Sequence, residues 1–148
     1  EKYNDMFEFC KFMIEFRKKH NVIRRKTNQS RCGFQDISIH NGQAWNENFG
    51  YDTRLIGVMY SGRNTDDTDD DIVFVAINTF WENQRMQLPA LPNHLMWNVA
   101  VDTWFEHSAD TDYNKLTERE GDCVIVKPRS VIILNSVRSD LSVRDEGC

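Results

Sequence analysis

The N-terminal residues carry apolar side chains at the spacing of an amphipathic helix. The residues that follow the i, i+3, i+4, i+7 pattern are Met6, Phe9, Cys10, Met13 and Phe16. This periodicity predicts a helix over residues 6–20. Phe7, Phe12 and Ile14 widen the apolar stripe to most of the helix circumference, which is typical of a helix that is buried on several sides. We therefore expect this helix to pack against a partner domain in addition to the rest of the chain.

After residue 33 the pattern changes to short apolar runs separated by turn residues such as Asn41-Gly42. The candidate strands are residues 36–40, 54–60, 71–78, 84–88, 96–102, 122–127 and 131–134. Leu95, Trp97, Val99 and Val101 fall on one face of an alternating strand, whereas residues 72–77 are apolar at every position, which is typical of a strand covered on both faces. The pattern predicts a mainly β fold, an antiparallel Greek-key β-sandwich with one N-terminal α-helix.

The chain divides into three parts. Residues 1–32 hold the helix and a linker, and residues 33–137 hold the sandwich. Residues 138–148 lose the strand pattern, and we expect them to form a disordered tail. A length of 148 residues is enough for one ordinary domain. Because the sequence opens on Glu1 and not on methionine, we also expect a preceding segment.

Composition narrows the possible partners. The net charge of −5 disfavours nucleic acid, because nucleic-acid binders usually present a basic face. No apolar run approaches the roughly 20 residues of a membrane-spanning helix, so we predict no membrane partner. The four cysteines lie far apart and form no C-x-x-C pair, which favours reduced thiols and a cytoplasmic protein.

The sequence contains no motif for catalysis, cofactor binding or metal binding. The histidines show no H-x-H or H-E-x-x-H spacing, and G-x-S-x-G, P-loop and dinucleotide-binding patterns are absent. The acidic run at residues 66–71 suggests calcium, but an EF-hand loop would need glycine at Asp71 and glutamate at Ile77. We interpret the run as a solvated hairpin loop. We predict no metal site, no cofactor and no catalytic residue in this chain.

Aromatic residues are the candidates for a substrate-binding site. Trp45, Phe80 and Trp81 could stack on sugar rings, because flat apolar faces suit a pyranose, and Phe80-Trp81 follows a strand directly. The competing interpretation is that large aromatic residues fill cores and domain boundaries. For Trp81 we favour a core or interdomain contact over a ligand platform, and we place Trp97 in the core.

Several short motifs occur in a characteristic order along the chain. They are "FRKKH" at 16–20, "DISIHNG" at 36–42, "VAINTFWE" at 75–82, "LP" at 88–89, "DT" at 102–103 and "VKPRS" at 126–130. In this order the chain resembles, over residues 3–134, the end of an isoamylase-type or glycogen-debranching glycoside hydrolase of the alpha-amylase superfamily. The resemblance implies that the N-terminal helix is the last helix of a catalytic (β/α)8 barrel. It also implies that the remainder is the C-terminal antiparallel sandwich of that enzyme.

The resemblance implies that the parent enzyme hydrolyses α-1,6 branch linkages in glycogen or a related α-glucan. Retaining glycosidases need two carboxylates roughly 5–5.5 Å apart, and no part of this chain resembles the barrel motifs that carry them. The chain has Ile39-His40-Asn41 where the family often has Trp-His-Gly, and we assign no catalytic role to His40. The expected partners are therefore the enzyme's own barrel and an α-glucan, and this chain alone should be inactive.

Two other function classes remain open. A non-catalytic carbohydrate-binding module would contact α-glucan through exposed aromatic residues, whereas a pure interaction module would present an apolar patch without binding sugar. A glucan titration separates the two classes.

Overall fold

The computed structural model describes residues 2–24, 27, 29–63, 70–92, 94–108 and 110–139 of the chain. The helices are α1, Lys2–Lys19, and α2, Tyr113–Leu116, and a 3-10 turn spans Asn21–Ile23. The strands are β1, Ile37–His40; β2, Leu55–Gly62; β3, Asp71–Asn78; β4, Gln84–Gln87; β5, Leu95–Asp102; β6, Arg119–Glu120; β7, Cys123–Val126; and β8, Val131–Arg138. The tail predicted at residues 138–148 lies outside the described residues from residue 140 onward. Among the described residues, no helix has the length and apolar character needed to cross a membrane.

The strands form two antiparallel sheets. One sheet has the order β1-β2-β3-β8-β5, and the other has the order β4-β7-β6. The chain leaves the larger sheet after β3, returns to it for β5, and leaves it again before β8 inserts between β3 and β5. The prediction of a mainly β, antiparallel sandwich with an N-terminal helix is confirmed. Every candidate strand is present and β3 has the predicted bounds, whereas the short elements β6 and α2 are not predicted by the pattern.

The core lies between the two sheets. Its largest members include Met59, Phe74, Trp97, Ile132 and Leu134 from the larger sheet and Met86, Val124 and Val126 from the smaller one. Trp97 is only 7% exposed and packs edge-to-face on Phe74, with ring centroids 6.0 Å apart. Its Nε1–H donates to the carbonyl of Pro89 at 3.0 Å, so the buried indole has no unpaired polar group. The prediction that Trp97 belongs to the core is confirmed.

The opposite face of the larger sheet, here called the outer face, is apolar as well. Residues paired across antiparallel strands point to the same side of a sheet. The outer-face rows are Ile37, Tyr60 and Val73; Ile39, Val58, Val75 and Ile133; and Ile56, Ile77 and Val131. Phe16 of α1 and Val22 of the 3-10 turn pack on Val73. This cover is partial, because Ile37 and Ile39 remain 57% and 43% exposed.

Helix α1 buries only part of its apolar circumference. It begins at Lys2, earlier than the predicted residue 6, and ends at Lys19. The rings of Phe9 and Phe12 contact the ring of His107, with centroids 5.6 and 4.9 Å apart. The exposed apolar residues of the helix are Met6, Phe7 and Ile14. An apolar stripe that faces solvent therefore runs beside the one that packs on the sandwich.

The end of the acidic run has a structural role. Residues 66–69 lie outside the described part of the chain, but Asp70 is buried and accepts the backbone N–H groups of Arg31 at 2.8 Å and Cys32 at 3.2 Å. Oδ1 of Asp71 lies 2.7 Å from Nδ1 of His20. The interpretation of the run as a solvated loop is therefore wrong for these two aspartates. They tie the segment after α1 to the start of β3.

Candidate functional site

Asn78, the last residue of "VAIN", organises the turn that follows β3. Its side chain is buried, its backbone N–H donates to the carbonyl of Ser130 at 3.0 Å, and its Oδ1 accepts the N–H of Phe80 at 2.8 Å. Its Nδ2 lies 2.9 Å from the carbonyl oxygen of Glu82 and 3.1 Å from that of Lys127. A buried amide with this many partners fixes its surroundings strongly, because losing any one of them would leave a polar group unpaired. Two motifs of the resemblance, "VAIN" and "VKPRS", thus meet at this amide.

Phe80 and Trp81 lie on the turn that Asn78 holds. The carbonyl of Phe80 accepts the N–H of Arg129 at 3.0 Å, which joins the turn to the segment before β8. The two rings meet edge-to-face, with centroids 4.3 Å apart and planes at 62°. Trp81 is 68% exposed, so its placement in the core, one of the two contacts favoured from the sequence, is wrong. The turn presents an indole to solvent on a rigid backbone.

This turn forms one wall of a cleft of about 740 Å³ at the end of the sandwich. The loop between β1 and β2 forms the opposite wall, and the start of β4 contributes to the floor. The polar residues that line the cleft include Gln43, Asn48, Asp52, Arg54, Gln84 and Arg85. An exposed indole therefore borders a concave surface of amide, carboxylate and guanidinium groups.

The opposite wall is held by hydrogen bonds within its own loop. The backbone N–H of Asn41 donates to Asn46 at 2.8 Å, its Oδ1 accepts the N–H of Gln43 at 3.0 Å, and its Nδ2 donates to the carbonyl of Asn48 at 2.9 Å. The two walls are also joined, because the N–H of Thr79 donates to the carbonyl of Arg54 at 2.9 Å. The cleft is therefore formed before any ligand arrives, which reduces the entropic cost of binding.

Trp45 lies apart from the cleft, although it belongs to the same loop. Its backbone has a φ of 66°, in the left-handed region, and its N–H donates to Nδ1 of His40 at 2.7 Å. Its ring packs against the rings of Phe34 and His40, with centroids 5.2 and 5.1 Å apart. The structure thus brings together two of the three predicted substrate-binding residues, Phe80 and Trp81, and not the third.

His40 is buried and occupies a neutral state. Because its Nδ1 accepts from Trp45, the proton lies on Nε2, which donates to Oγ of Ser38 at 2.9 Å. Burial lowers the pKa of His40 below its usual value of 6.5, and the nearby carboxylate of Glu47 opposes this shift only in part. A histidine whose two nitrogens are both engaged inside the fold supports a structural role.

Asp102 of the "DT" motif also has a structural role. Its Oδ2 accepts the hydroxyl of Thr117 at 2.8 Å, and its Oδ1 accepts the N–H of Trp104 at 3.1 Å. Burial raises the pKa of this carboxyl above its ordinary value, although both hydrogen bonds act in the opposite direction. The neighbouring Thr103 receives the N–H of Val131 on its hydroxyl at 2.8 Å. The motif therefore joins the end of β5 to α2 and to the start of β8.

The structure also bears on the metal ligands, the cysteines and the cleft residues. Within the described ranges, no group of three or more His, Cys, Asp or Glu side chains is arranged to hold a metal ion. Of the four cysteines, Cys148 lies outside the described residues, and Cys10 and Cys123 are free thiols. Nothing in the local sequence pattern marks Asp52, Arg54 or Gln84 as cleft residues, because their segments are separate in the chain and meet only in the fold.

A second surface is the apolar groove between α1 and the outer face. It has a volume of about 380 Å³, and its lining includes Met13, Ile14, Phe16, Tyr60, Val75 and Ile133. Its lining is apolar apart from Arg17 and includes Ile14, which is itself exposed on the helix. Contiguous apolar surface of this kind is typical of protein–protein contacts. These two surfaces differ in character, since one is a polar cleft with an exposed tryptophan and the other is an apolar face.

Comparison with known proteins adds no assignment. No protein-family model matches the chain, and no curated protein matches it.

Proposed function

We propose that this chain serves as the C-terminal β-sandwich of a glycogen-debranching glycoside hydrolase of the isoamylase type, where it covers and stabilises the catalytic (β/α)8 barrel. The observation that carries the proposal is the incompletely covered outer face. Ile37, Ile39 and Ile56 of this face are 57%, 43% and 36% exposed. Each would contribute roughly 25 cal/mol per Å² of apolar area if a partner removed it from water.

The occupant proposed for the outer face is the barrel, because of what already lies there. Helix α1, which resembles the last helix of the barrel, packs on this face through Phe16. Its own exposed residues Met6, Phe7 and Ile14 continue the apolar surface away from the sheet. A barrel that includes α1 in its outer ring of helices would cover the helix and the adjoining sheet in one interface. This arrangement would account for a helix that is apolar on nearly all sides.

The reaction proposed for the whole enzyme is hydrolysis of α-1,6 branch linkages in glycogen or a related α-glucan. It rests on the order of motifs in the sequence. The paired carboxylates would lie in the barrel, and Asp102 of the "DT" motif and Asp70 and Asp71 at the end of the acidic run are already engaged in structural hydrogen bonds. The free thiols of Cys10 and Cys123 fit a reducing compartment such as the cytoplasm.

The experiment compares the longest polypeptide that the gene encodes with the 148-residue chain. Both are incubated with glycogen and with pullulan, and released reducing ends are measured. We expect the longer polypeptide to contain a (β/α)8 barrel with paired carboxylates and to release reducing ends, and we expect the 148-residue chain to release none. Release by the shorter chain, or a longer polypeptide without a barrel, would contradict the proposal.

Substitutions on the outer face test the interface itself. Ile39→Asp and Ile56→Asp should lower the melting temperature of the longer polypeptide, because a carboxylate would be buried without a partner. The same changes should lower the melting temperature of the short chain by less, because 43% of Ile39 and 36% of Ile56 are already exposed to water there. Tyr51→Asp, at a fully exposed loop position, is the matched control. Equal effects of Ile39→Asp on the two polypeptides would show that no partner covers this face.

The alternative function is a non-catalytic carbohydrate-binding module. The exposed ring of Trp81 at the edge of a polar cleft favours it. If the longest polypeptide contains no barrel but binds glucan, this alternative replaces the first proposal.

A further inference from the structure

Trp81 presents an uncovered indole at the edge of a preformed polar cleft. We propose that this cleft binds a neutral pyranose unit of an oligosaccharide, which stacks on Trp81 while its hydroxyl groups bond to the side chains of Asp52 and Gln84. The inference goes beyond the role proposed for the outer face, because it assigns a ligand to the sandwich itself. It does not depend on the presence of a barrel.

The exposure of Trp81 is the first step. A tryptophan that is 68% exposed leaves a large apolar ring in water at a position where the backbone is firmly held. Phe80 supports it edge-to-face, which leaves ring surface free toward solvent. The indole face carries the negative part of the ring quadrupole, so it attracts groups with slightly positive hydrogens. The C–H groups on one side of a pyranose form such a surface.

The rigidity of the turn is the second step. The buried amide of Asn78 bonds to the backbone at Phe80 and Glu82, and Arg129 bonds to Phe80 from the other side. The backbone that carries Trp81 is therefore held in place in the absence of ligand. Preorganisation of this kind allows a small ligand to bind without the cost of ordering a loop.

Unused polar groups are the third step. Within the described part of the chain, the side chains of Asp52 and Gln84 form no hydrogen bond, although both line the cleft. The carboxylate accepts, and the amide both donates and accepts. Sugar hydroxyls do both as well, so one face of a pyranose can lie on Trp81 while its edges bond to these groups. Arg54 adds donors on the same side of the cleft.

Charge balance selects a neutral ligand. Nε of Arg85 lies 3.5 Å from Oε2 of Glu120, so this guanidinium already has a partner. Arg54 and Asp52 line the cleft from the same loop and carry opposite charges, although no ion pair joins them among the described residues. The lining holds two guanidinium groups and one carboxylate, and Glu120 supplies a second carboxylate beside Arg85, so a phosphate would gain little attraction. A flat nucleobase could also stack on Trp81, and the experiment separates this possibility from a sugar.

The test titrates the 148-residue chain with maltohexaose, cellohexaose and adenosine, followed by tryptophan fluorescence and calorimetry. We expect at least one hexaose to bind with a dissociation constant in the millimolar range or below. Trp81→Ala should weaken binding by about tenfold or more, and Asp52→Asn and Gln84→Ala should weaken it several-fold. Trp104→Ala removes a tryptophan of similar exposure outside the cleft and should leave the affinity unchanged.

Each other outcome contradicts the proposal. If neither hexaose binds, or if Trp81→Ala binds as well as the original chain, the cleft is not a sugar site. If adenosine binds and both hexaoses fail, the ligand is a flat heteroaromatic molecule. Because Trp81 is exposed, its substitution should leave the far-ultraviolet circular dichroism unchanged, so loss of binding cannot be attributed to unfolding. If a hexaose binds but the longest polypeptide contains no barrel, the sugar site is supported and the proposed debranching role is refuted.

Discussion

Trp97→Ala should produce one of the largest losses of stability available in this domain. Trp97 is 7% exposed, lies edge-to-face on Phe74 in the centre of the core, and donates its indole N–H to the carbonyl of Pro89. Replacing it with alanine removes the ring from the core that lies between the two sheets. It also leaves the carbonyl of Pro89, itself buried, without this donor.

The magnitude follows from the buried area. A tryptophan side chain buries about 150–250 Å², which at roughly 25 cal/mol per Å² gives about 4–6 kcal/mol. This is an upper bound, because the unfolded chain already hides part of that area. Losing the hydrogen bond adds about 1 kcal/mol, and measured substitutions of buried Phe or Trp by Ala cost about 3–5 kcal/mol. We therefore expect the free energy of unfolding to fall by about 3–5 kcal/mol.

The assay is urea unfolding followed by circular dichroism, since the substitution removes a fluorophore. Trp104→Ala is the control, because Trp104 is 53% exposed and its loss should cost less than about 1 kcal/mol. Trp97→Phe keeps a ring but loses the N–H, and it should fall between the two. This variant also provides a measurable value if Trp97→Ala does not fold. A loss below about 1 kcal/mol for Trp97→Ala, or an equal loss for Trp104→Ala, would refute the packing that we describe.

Three further predictions concern other positions of the sandwich. Gly57→Ala should destabilise the fold by about 1–3 kcal/mol, because a Cβ there would overlap Phe74 and Met86, both fully buried. In urea unfolding, the double variant Gly57→Ala/Met86→Ala should lose less unfolding free energy than the sum of the losses of the two single variants. The lowered pKa of His40 means that the unfolded chain takes up a proton below pH 6.5 more readily than the folded one, so stability should fall as the pH drops below that value. In urea unfolding at several pH values, this fall should be smaller in His40→Gln, and an identical fall would show that other groups cause it. Burial raises the pKa of Asp102, so its stabilising contribution is complete below pH 3.8 and is lost as the pH rises through the folded pKa. Asp102→Asn should therefore be at least as stable as the original chain at pH 7. Asp102→Ala should lose about 1–3 kcal/mol of unfolding free energy, because it leaves two hydrogen-bond donors unpaired. Equal melting temperatures for these two variants would contradict this account.

Local periodicity determined most of the secondary structure. The run at residues 71–78 predicts β3 at its observed bounds, because a strand between two apolar layers needs apolar side chains on both faces. The helix of residues 6–20 is equally evident, although α1 begins earlier, at Lys2. Two elements, β6 and α2, are too short to show any period, and their positions depend on pairing with β7 and on capping by Asp112. Pairing between distant residues is not visible in a local pattern.

The roles of the polar residues depend on the tertiary structure. The aspartates at the end of the acidic run look like loop residues in the sequence, yet Asp70 is buried because the backbone at Arg31 and Cys32 supplies its hydrogen bonds. Asn78 stands at the end of a strand motif, but two of its partners, Lys127 and Ser130, lie in the segment before β8 and reach it only in the folded structure. Residues far apart in the chain supply the partners, so the sequence alone could not identify them.

The sequence by itself determined which residues could serve a site, and the tertiary structure decided which of them line the cleft. Trp45, Phe80 and Trp81 are equivalent candidates by composition. Trp45 is 47% exposed but packs on His40 away from the cleft, whereas the turn held by Asn78 places Phe80 and Trp81 in the cleft lining. The outer face shows the same division. The sequence makes both faces of β3 apolar, and only the pairing of five strands shows that one face fills the core while the other is left partly open. Apolar character is a property of each residue, whereas burial is a property of its neighbours in space.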